Sequence, residues 1–397
     1  MFKPFTLSLF CLLLLSKTNA QPSITVVNSY NEGLKLKNAE KYKEALSVFK
    51  DAIEKNPDYT DALYEAGWIS NELKECGNAI TYLEKAKQLK PSATIFFELA
   101  YAYENSEMIN EAVENYKKAL ELYPKYYDAD KRLGDIYYVQ TNYATALNYY
   151  KKYFDAPKVD DVYYYYKAGQ CANNLKDYAD AILYLEKYEP NGRKDFAKKY
   201  TQIGYAYYMT GYNDDAISAY QKALEANPTD GAVLRGIADI YYTNLEDYNK
   251  ALEYFNLALQ YDEKNSGDCY YKTGWIYVQQ QKYNEAIPAL EKAADYDTKD
   301  ADAREQLGYA YFMLNKYDES ILQFNKAIEL NTHSGISYFY KGVSYASLNQ
   351  KENAMEAYAQ LKSIDKGNAE QLLKVIKEKA KMFKALASNQ KSNKQVN

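Results

Sequence analysis

Small, aromatic and helix-stopping residues return at fixed intervals along the chain. In YNEGLKLKNAEKYKEALSVFKDAIEKNPD (30–58), Gly33 is followed by Ala45, Phe49, Ala52 and Pro57. In YTQIGYAYYMTGYNDDAISAYQKALEANPTD (200–230), Gly204 is followed at the same intervals by Ala216, Tyr220, Ala223 and Pro228. The opening small residue recurs as Gly33, Gly67, Ala100, Gly134, Gly169, Gly204, Ala238, Gly274, Gly308 and Gly342, with neighbours 33 to 36 residues apart. Such a period marks a repeat protein, and each unit carries an apolar face too large to bury alone. The pattern predicts ten units over residues 26–368, each with two helices and no strand. The small residues are expected on facing helices, where they let two axes approach closely. Asn and Pro in KNPD (55–58) and ANPT (226–229) stop one helix and turn the chain into the next. Stacked units make one quasi-one-dimensional array rather than two globular domains.

The sequence resembles the tetratricopeptide repeat (TPR) family over most of its length. That family has a 34-residue helix–turn–helix with Gly or Ala at position 8, Tyr at 11, Ala at 20, an aromatic at 24, Ala at 27 and Pro at 32. The resemblance implies an all-α, right-handed superhelical solenoid. It also implies a concave surface lined by positions 2, 5, 9 and 12 of the first helices. The chain departs from the pattern in places. Tyr153 and Tyr188 stand at position 27, so packing there should differ. Repeat 7 has an extra residue in its turn, in YTNLEDYNKA, and Pro288 lies near the start of a second helix, where one lost backbone bond is tolerable.

The ends read differently. MFKPFTLSLFCLLLLSKTNA (1–20) has Lys3, a short apolar run and small residues at Thr18 and Ala20, the pattern of a cleaved signal peptide. The apolar run is shorter than the about 20 residues a membrane span needs. Phe10 before Cys11 argues against lipidation. Residues 21–25 read as a linker. Over 369–388, Leu372, Ile376, Phe383 and Leu386 fall at helical spacing with lysines between, as expected of a helix that caps the last repeat. This end is basic, with seven Lys against two Glu from Ala369 to Asn397, so a membrane-surface or partner-binding helix is the sharper alternative. Residues 389–397 lack apolar periodicity and are expected to be disordered.

Tyrosine is the commonest aromatic, with 47 Tyr against 13 Phe and 2 Trp, and DVYYYYKAGQC (161–171) holds four in a row. On a helix these rings point about 100° apart. Tyr163 and Tyr166 share a face, Tyr165 takes a core position, and Tyr164 points to the neighbouring unit or the convex side. The tyrosines at position 11 (Tyr103, Tyr137, Tyr207, Tyr241, Tyr277, Tyr311 and Tyr345) are structural. The groove positions carry Tyr30, Tyr64, Trp68, Asn71, Phe97, Tyr101, Tyr166, Asn173, Tyr205, Tyr208, Tyr271, Trp275, Tyr309 and Phe312. Both tryptophans fall at position 9. Rings supply rigid contact area and amides fix an extended backbone, so these residues are the candidates for holding a peptide. They form two aromatic clusters, in repeats 2–3 and 8–9, separated by a more polar middle. The alternative is that the rings pack against the next repeat. Lys131 and Arg235 stand alone in the groove, each four residues before Asp135 or Asp239. That spacing suggests in-helix ion pairs rather than a clamp for a terminal carboxylate.

Charge and chemistry narrow the function. A net charge of −5 and a pI near 5.4 argue against nucleic acid as a partner. Beyond residue 20 the cysteines are Cys76, Cys171 and Cys269, too far apart along an array for intramolecular bonds. No metal-ligand cluster, phosphate loop or catalytic constellation stands out, so no metal, cofactor or catalytic residue is assigned. DEKNSGD (262–268) has Lys264 where a calcium ligand is needed, and His333 stands alone. No Asn meets the N-glycosylation pattern, a hint of bacterial origin. The expectation is an exported, non-catalytic scaffold or adaptor, periplasmic, secreted or at the cell surface. It holds a protein or extended peptide, whose identity the sequence does not give, in an aromatic groove. The alternatives are a carbohydrate- or cell-wall-associated binder, or a subunit of an envelope secretion or assembly complex. The sequence assigns no oligomeric state.

Overall fold

The structure, a computed structural model, describes residues 23–159, 161–262 and 267–394. The signal-peptide segment, most of DEKNSGD and residues 395–397 lie outside the described residues. Among the described residues are twenty-one α-helices and no strand. Where the sequence predicts one array, the chain divides into two compact units, up to Lys176 and from Asp177.

The first unit stacks helix pairs α1 (Ile24–Asn38) with α2 (Tyr42–Lys55), α3 (Thr60–Glu72) with α4 (Cys76–Leu89), α5 (Ala93–Asn105) with α6 (Ile109–Leu122), and α7 (Tyr127–Val139) with α8 (Tyr143–Tyr153), followed by α9 (Tyr163–Asn174). The second unit begins with α10 (Tyr178–Lys187) and stacks α11 (Arg193–Thr210) with α12 (Asn213–Ala226) and α13 (Gly231–Asp239) with α14 (Tyr248–Tyr261). It continues with α15 (Gly267–Gln279) and α16 (Tyr283–Tyr296), α17 (Ala301–Met313) and α18 (Tyr317–Leu330), and α19 (Gly335–Ser347) and α20 (Lys351–Ile364). The last helix, α21, spans Lys366–Lys394. It runs past residue 388, into the segment expected to be disordered. Its Ala369, Leu372 and Ile376 are buried against the last repeat.

The small residues do bring the two helices of a repeat close together, and they do so by receiving a large side chain. The nearest side chain to Gly33, Gly67, Gly134, Gly204, Gly274 and Gly308 is the large one sixteen residues on. A Cβ on Gly33 would stand 2.7 Å from the Phe49 ring, and one on Gly204 2.5 Å from the Tyr220 ring. The position-20 alanines, among them Ala45, Ala112, Ala216 and Ala286, have no exposed surface. The second helix therefore presses its position-24 ring onto bare backbone of the first. At Gly342 the contacting side chain is Leu372 of α21, which is how the last helix docks.

The turn inside a repeat is also regular. Glu40, Lys74, Glu107, Thr141, Lys176, Glu246, Gln281, Asn315 and Asn349 all have positive φ, as does Gly211 in repeat 6. After all but Lys176, a backbone N–H returns to the last helical turn; Lys41 N–H donates to Leu36 O at 2.9 Å and Lys316 N–H to Tyr311 O at 3.0 Å. This is the left-handed helix stop that satisfies orphan carbonyls. The extra residue of repeat 7 enters the helix rather than the turn, as a π turn over Ile240–Asn244. Pro288 sits inside α16, which runs on through it.

Candidate functional site: the inter-repeat groove

With the opening Gly or Ala counted as position 8, position 6 of one repeat reaches positions 9 and 12 of the repeat before it. Glu65 accepts from Lys37 Nζ at 2.7 Å. The Asn71 amide donates to the Glu98 backbone carbonyl at 2.9 Å and to Glu98 Oε2 at 3.0 Å. Arg132 lies over the Tyr101 ring at 4.8 Å and 3.6 Å from Glu104. Lys167 donates to Asp135 and Lys272 to Asp239, both at 2.7 Å. Tyr340 packs on Tyr309 and Phe312 with centroids 5.0 and 4.9 Å apart. These rungs join successive first helices along the groove. Sequence reasoning missed position 6, because no single residue type recurs there.

The ladder overturns the pair expected between Lys131 and Asp135, and it brings Lys272 to Asp239. Lys131 pairs with Asp128 at 3.0 Å. Asp135 accepts from Lys167, from the Tyr150 hydroxyl at 2.8 Å and from the Tyr164 hydroxyl at 2.8 Å. Asp239 takes Lys272, which also bonds Asp268 at 2.6 Å. The position-9 carboxylates point at the next repeat, where half-buried lysines need them. Burial pushes the Asp239 carboxyl up, with the Lys272 hydrogen bond acting against it. Burial likewise pushes Glu98 up to about 7, against the bond from Asn71.

The candidate aromatics divide into two groups. Tyr30 is wedged between Phe49 and Tyr59, with centroids 5.7 and 5.2 Å away. Phe97 stacks on Tyr126 at 4.8 Å, and Tyr64 packs against the Leu83–Leu99 cluster. These position-5 rings serve inter-repeat packing. Asn71, Tyr166 and Asn173 are buried. Tyr101, Tyr208, Tyr271, Tyr309 and Phe312 are half-buried, and Tyr205 is exposed. Trp68 lies under the Lys37 ammonium, 3.8 Å from its centroid, and meets Tyr42 edge-on at 5.9 Å. Trp275 meets Tyr242 and Tyr248 edge-on at 5.5 and 5.8 Å. Both tryptophans remain half-buried. Beside Tyr271 a cavity of about 580 Å³ is lined by Arg235, Asp268, Tyr296, Asp297 and Asp300.

The four-tyrosine run resolves into three roles. Tyr163 and Tyr166 stack with centroids 5.4 Å apart. Tyr164 turns back onto Asp135, Tyr150 and Tyr153. Tyr165 stacks on Phe154 at 4.2 Å. Tyr153, at the position normally held by Ala, is buried, and its hydroxyl has no hydrogen-bond partner among the described residues. The position-11 tyrosines pack on second helices; Tyr103 and Tyr311 donate to Glu84 and Glu291 at 2.8 and 2.6 Å.

Among the described residues no three His, Cys, Asp or Glu side chains group as metal ligands, and no helix is long and apolar enough to cross a membrane. Burial pushes the Cys171 and Cys269 thiols up to about 12 and about 11, away from nucleophilic character.

Profiles described as tetratricopeptide repeat match residues 30–94, 140–196, 201–268 and 271–334, and two further ones match 93–126 and 337–365. Anaphase-promoting complex subunit 3 of Schizosaccharomyces pombe is 32% identical over 90 residues, 23% of this chain and 13% of that protein. The Photosystem I assembly protein Ycf3 of Prochlorococcus marinus is 35% identical over 82 residues, 20% of this chain and 47% of that protein. The chain thus spans less than half the length of these relatives. The solved C-terminal part of a TPR repeat-containing protein from Cytophaga hutchinsonii superposes with a TM-score of 0.50 at 20% identity, over 62% of this chain and 98% of that one. With repeat profiles along most of its length and helix pairs of this form in both units, the chain belongs to the tetratricopeptide repeat family.

Proposed function

We propose that the protein is an exported, non-catalytic scaffold that holds an extended peptide segment of a protein partner along its groove. The observation that carries this reading is Trp275. It is a half-buried indole at position 9, braced edge-on by two tyrosines and followed along the groove by Tyr309, Phe312 and Tyr340. Rigid, pre-packed rings lose little entropy on binding, which makes them good interface anchors. The curated relatives are named as a complex subunit and an assembly protein, and what they share with this chain is the repeat. Export rests on the pattern of residues 1–20.

Trp275→Ala should weaken peptide binding by about 2 kcal/mol or more, roughly thirtyfold, with little change in the unfolding midpoint. Binding unchanged beside a lowered midpoint would make Trp275 a packing residue and remove the support for the groove. For export, the intact mass of protein from a secreting host should place the mature start at Gln21. A retained Met1 would count against it.

A further inference from the structure

Tyr271, one of the groove residues, also lines the cavity of about 580 Å³. It stands one helical turn before Trp275, so the two rings share a face of α15. The cavity is walled by the start of α15, the end of α16 and the turn into α17, through Asp268, Tyr296, Asp297 and Asp300. Tyr296 rests on bare backbone, where a Cβ on Gly267 would stand 2.4 Å from its ring, and yet it is 51% exposed. Two rings are thus held at the cavity with surface to offer a ligand.

The charge of this cavity is unbalanced. Three carboxylates, Asp268, Asp297 and Asp300, line it against one guanidinium, Arg235. Asp268 is paired with Lys272 at 2.6 Å. The other two bond only to backbone among the described residues. Asp297 accepts from the Lys299 N–H and Asp300 from the Ala303 N–H, both at 2.9 Å. Arg304, at the start of α17, is turned to the Ala294 carbonyl at 2.8 Å and to Asp295 at 3.8 Å. Burial pushes the Tyr271 phenol up to about 12, and Asp302, Asp300 and Glu305 add to the push. The negative field of these carboxylates therefore reaches the ring that shares a face with Trp275.

We propose that this cavity receives an Arg or Lys side chain of the groove-bound peptide, its cation against the Tyr271 and Tyr296 rings and paired with Asp297 and Asp300. Ring faces take up both the charge and the apolar stem of such a side chain. The two carboxylates have no ion pair among the described residues, so the ligand cation displaces none from them. With Trp275 one turn away, the ligand carries a basic residue next to an apolar one. This rests on the groove-binding reading and adds a charge preference at one place in it.

The test uses the whole chain at about 0.15 M salt and acetylated, amidated random decapeptides, in pools that fix one residue as Arg, citrulline, Lys or norleucine. Citrulline and norleucine keep the shape of the side chain and drop its charge. The Arg and Lys pools should bind the wild type about tenfold better than their neutral counterparts. Asp297→Asn with Asp300→Asn keeps both backbone hydrogen bonds, since Asn caps a helix as well as Asp does. It should remove the preference while the norleucine pool binds as before. Tyr296→Ala, which trims a half-exposed ring, should weaken the charged pools alone. Asp318→Asn with Glu319→Gln makes the same change of charge on exposed residues at the far end of α17, about 20 Å away, and should keep the preference. A wild type that binds charged and neutral pools alike overturns the proposal and leaves the groove reading standing. So does a preference that survives the cavity pair, or one that falls equally in both pairs. If no pool binds the wild type, both fall together.

Discussion

Trp68 and Trp275 occupy the same repeat position in different units, yet their surroundings differ in kind. In the first unit the Trp68 ring is covered by Lys37, itself held by Glu65, and the next rungs are Glu98, Arg132 and Lys167. In the second unit Trp275 is braced by tyrosines, and the rungs include Lys272 and Tyr340. A ligand reaching Trp68 must displace an ammonium from an ion pair and a ring face. One reaching Trp275 meets rings already in place. The same fold position is thus an electrostatic lock in one unit and an open aromatic surface in the other. Position 12 of the preceding repeat, Lys37 in one and Tyr242 in the other, decides which.

The largest effect that would sharpen this contrast is in the locks themselves. Asp135→Ala strands Lys167, Tyr150 and Tyr164 at once and should cost about 2–4 kcal/mol of first-unit stability. Asp239→Ala leaves Lys272 its bond to Asp268 and should cost about 1–2 kcal/mol. Equal losses in denaturant melts would show that the two rungs are interchangeable. Trp68→Ala should cost about 2 kcal/mol of stability, mostly from lost packing, and change peptide binding less than Trp275→Ala does. A larger binding loss at Trp68 would reverse the assignment of roles.

A further effect is in pH. Glu98 titrates near 7 in the folded state against a usual 4.5, so the native state holds its proton more tightly than the unfolded chain does. Its contribution to stability is complete below pH 4.5 and is lost as pH rises through 7. Glu98→Gln should flatten the fall of first-unit stability between those values, followed by hydrogen exchange of α5. A slope identical to the wild type would mean the carboxyl is ionised throughout.

Much of this architecture was legible in the sequence. The interval from Gly33 to Ala45 to Phe49 predicts helix pairs because a large side chain needs a small residue to press on, and that need recurs along the chain. The turns were harder to read, since the left-handed stop is carried by Glu, Lys, Gln, Thr and Asn, with Gly only at Gly211. The extra residue of repeat 7 was visible, but its absorption as a π turn depends on helix packing. The break between Lys176 and Asp177 has no mark in the repeat pattern. Within the site, the aromatic positions could be found by counting, and several, such as Tyr30 and Phe97, turn out to be spent on packing. The rungs could not be found that way. Glu, Arg, Lys, Gln, Gly and Tyr all occupy position 6, and what unites them is the neighbour they touch.

The two tryptophans are the chain's only indoles, so each unit carries its own reporter. In Trp68→Phe and Trp275→Phe variants, one emission reports one groove. The measurement is a titration of each variant with the tightest-binding peptide selected from a random decapeptide library, reading fluorescence beside calorimetric binding. Trp275 emission should shift and saturate together with binding, and Trp68 emission should move little. Saturable binding that leaves both indoles unchanged would place the ligand outside the groove and contradict the account.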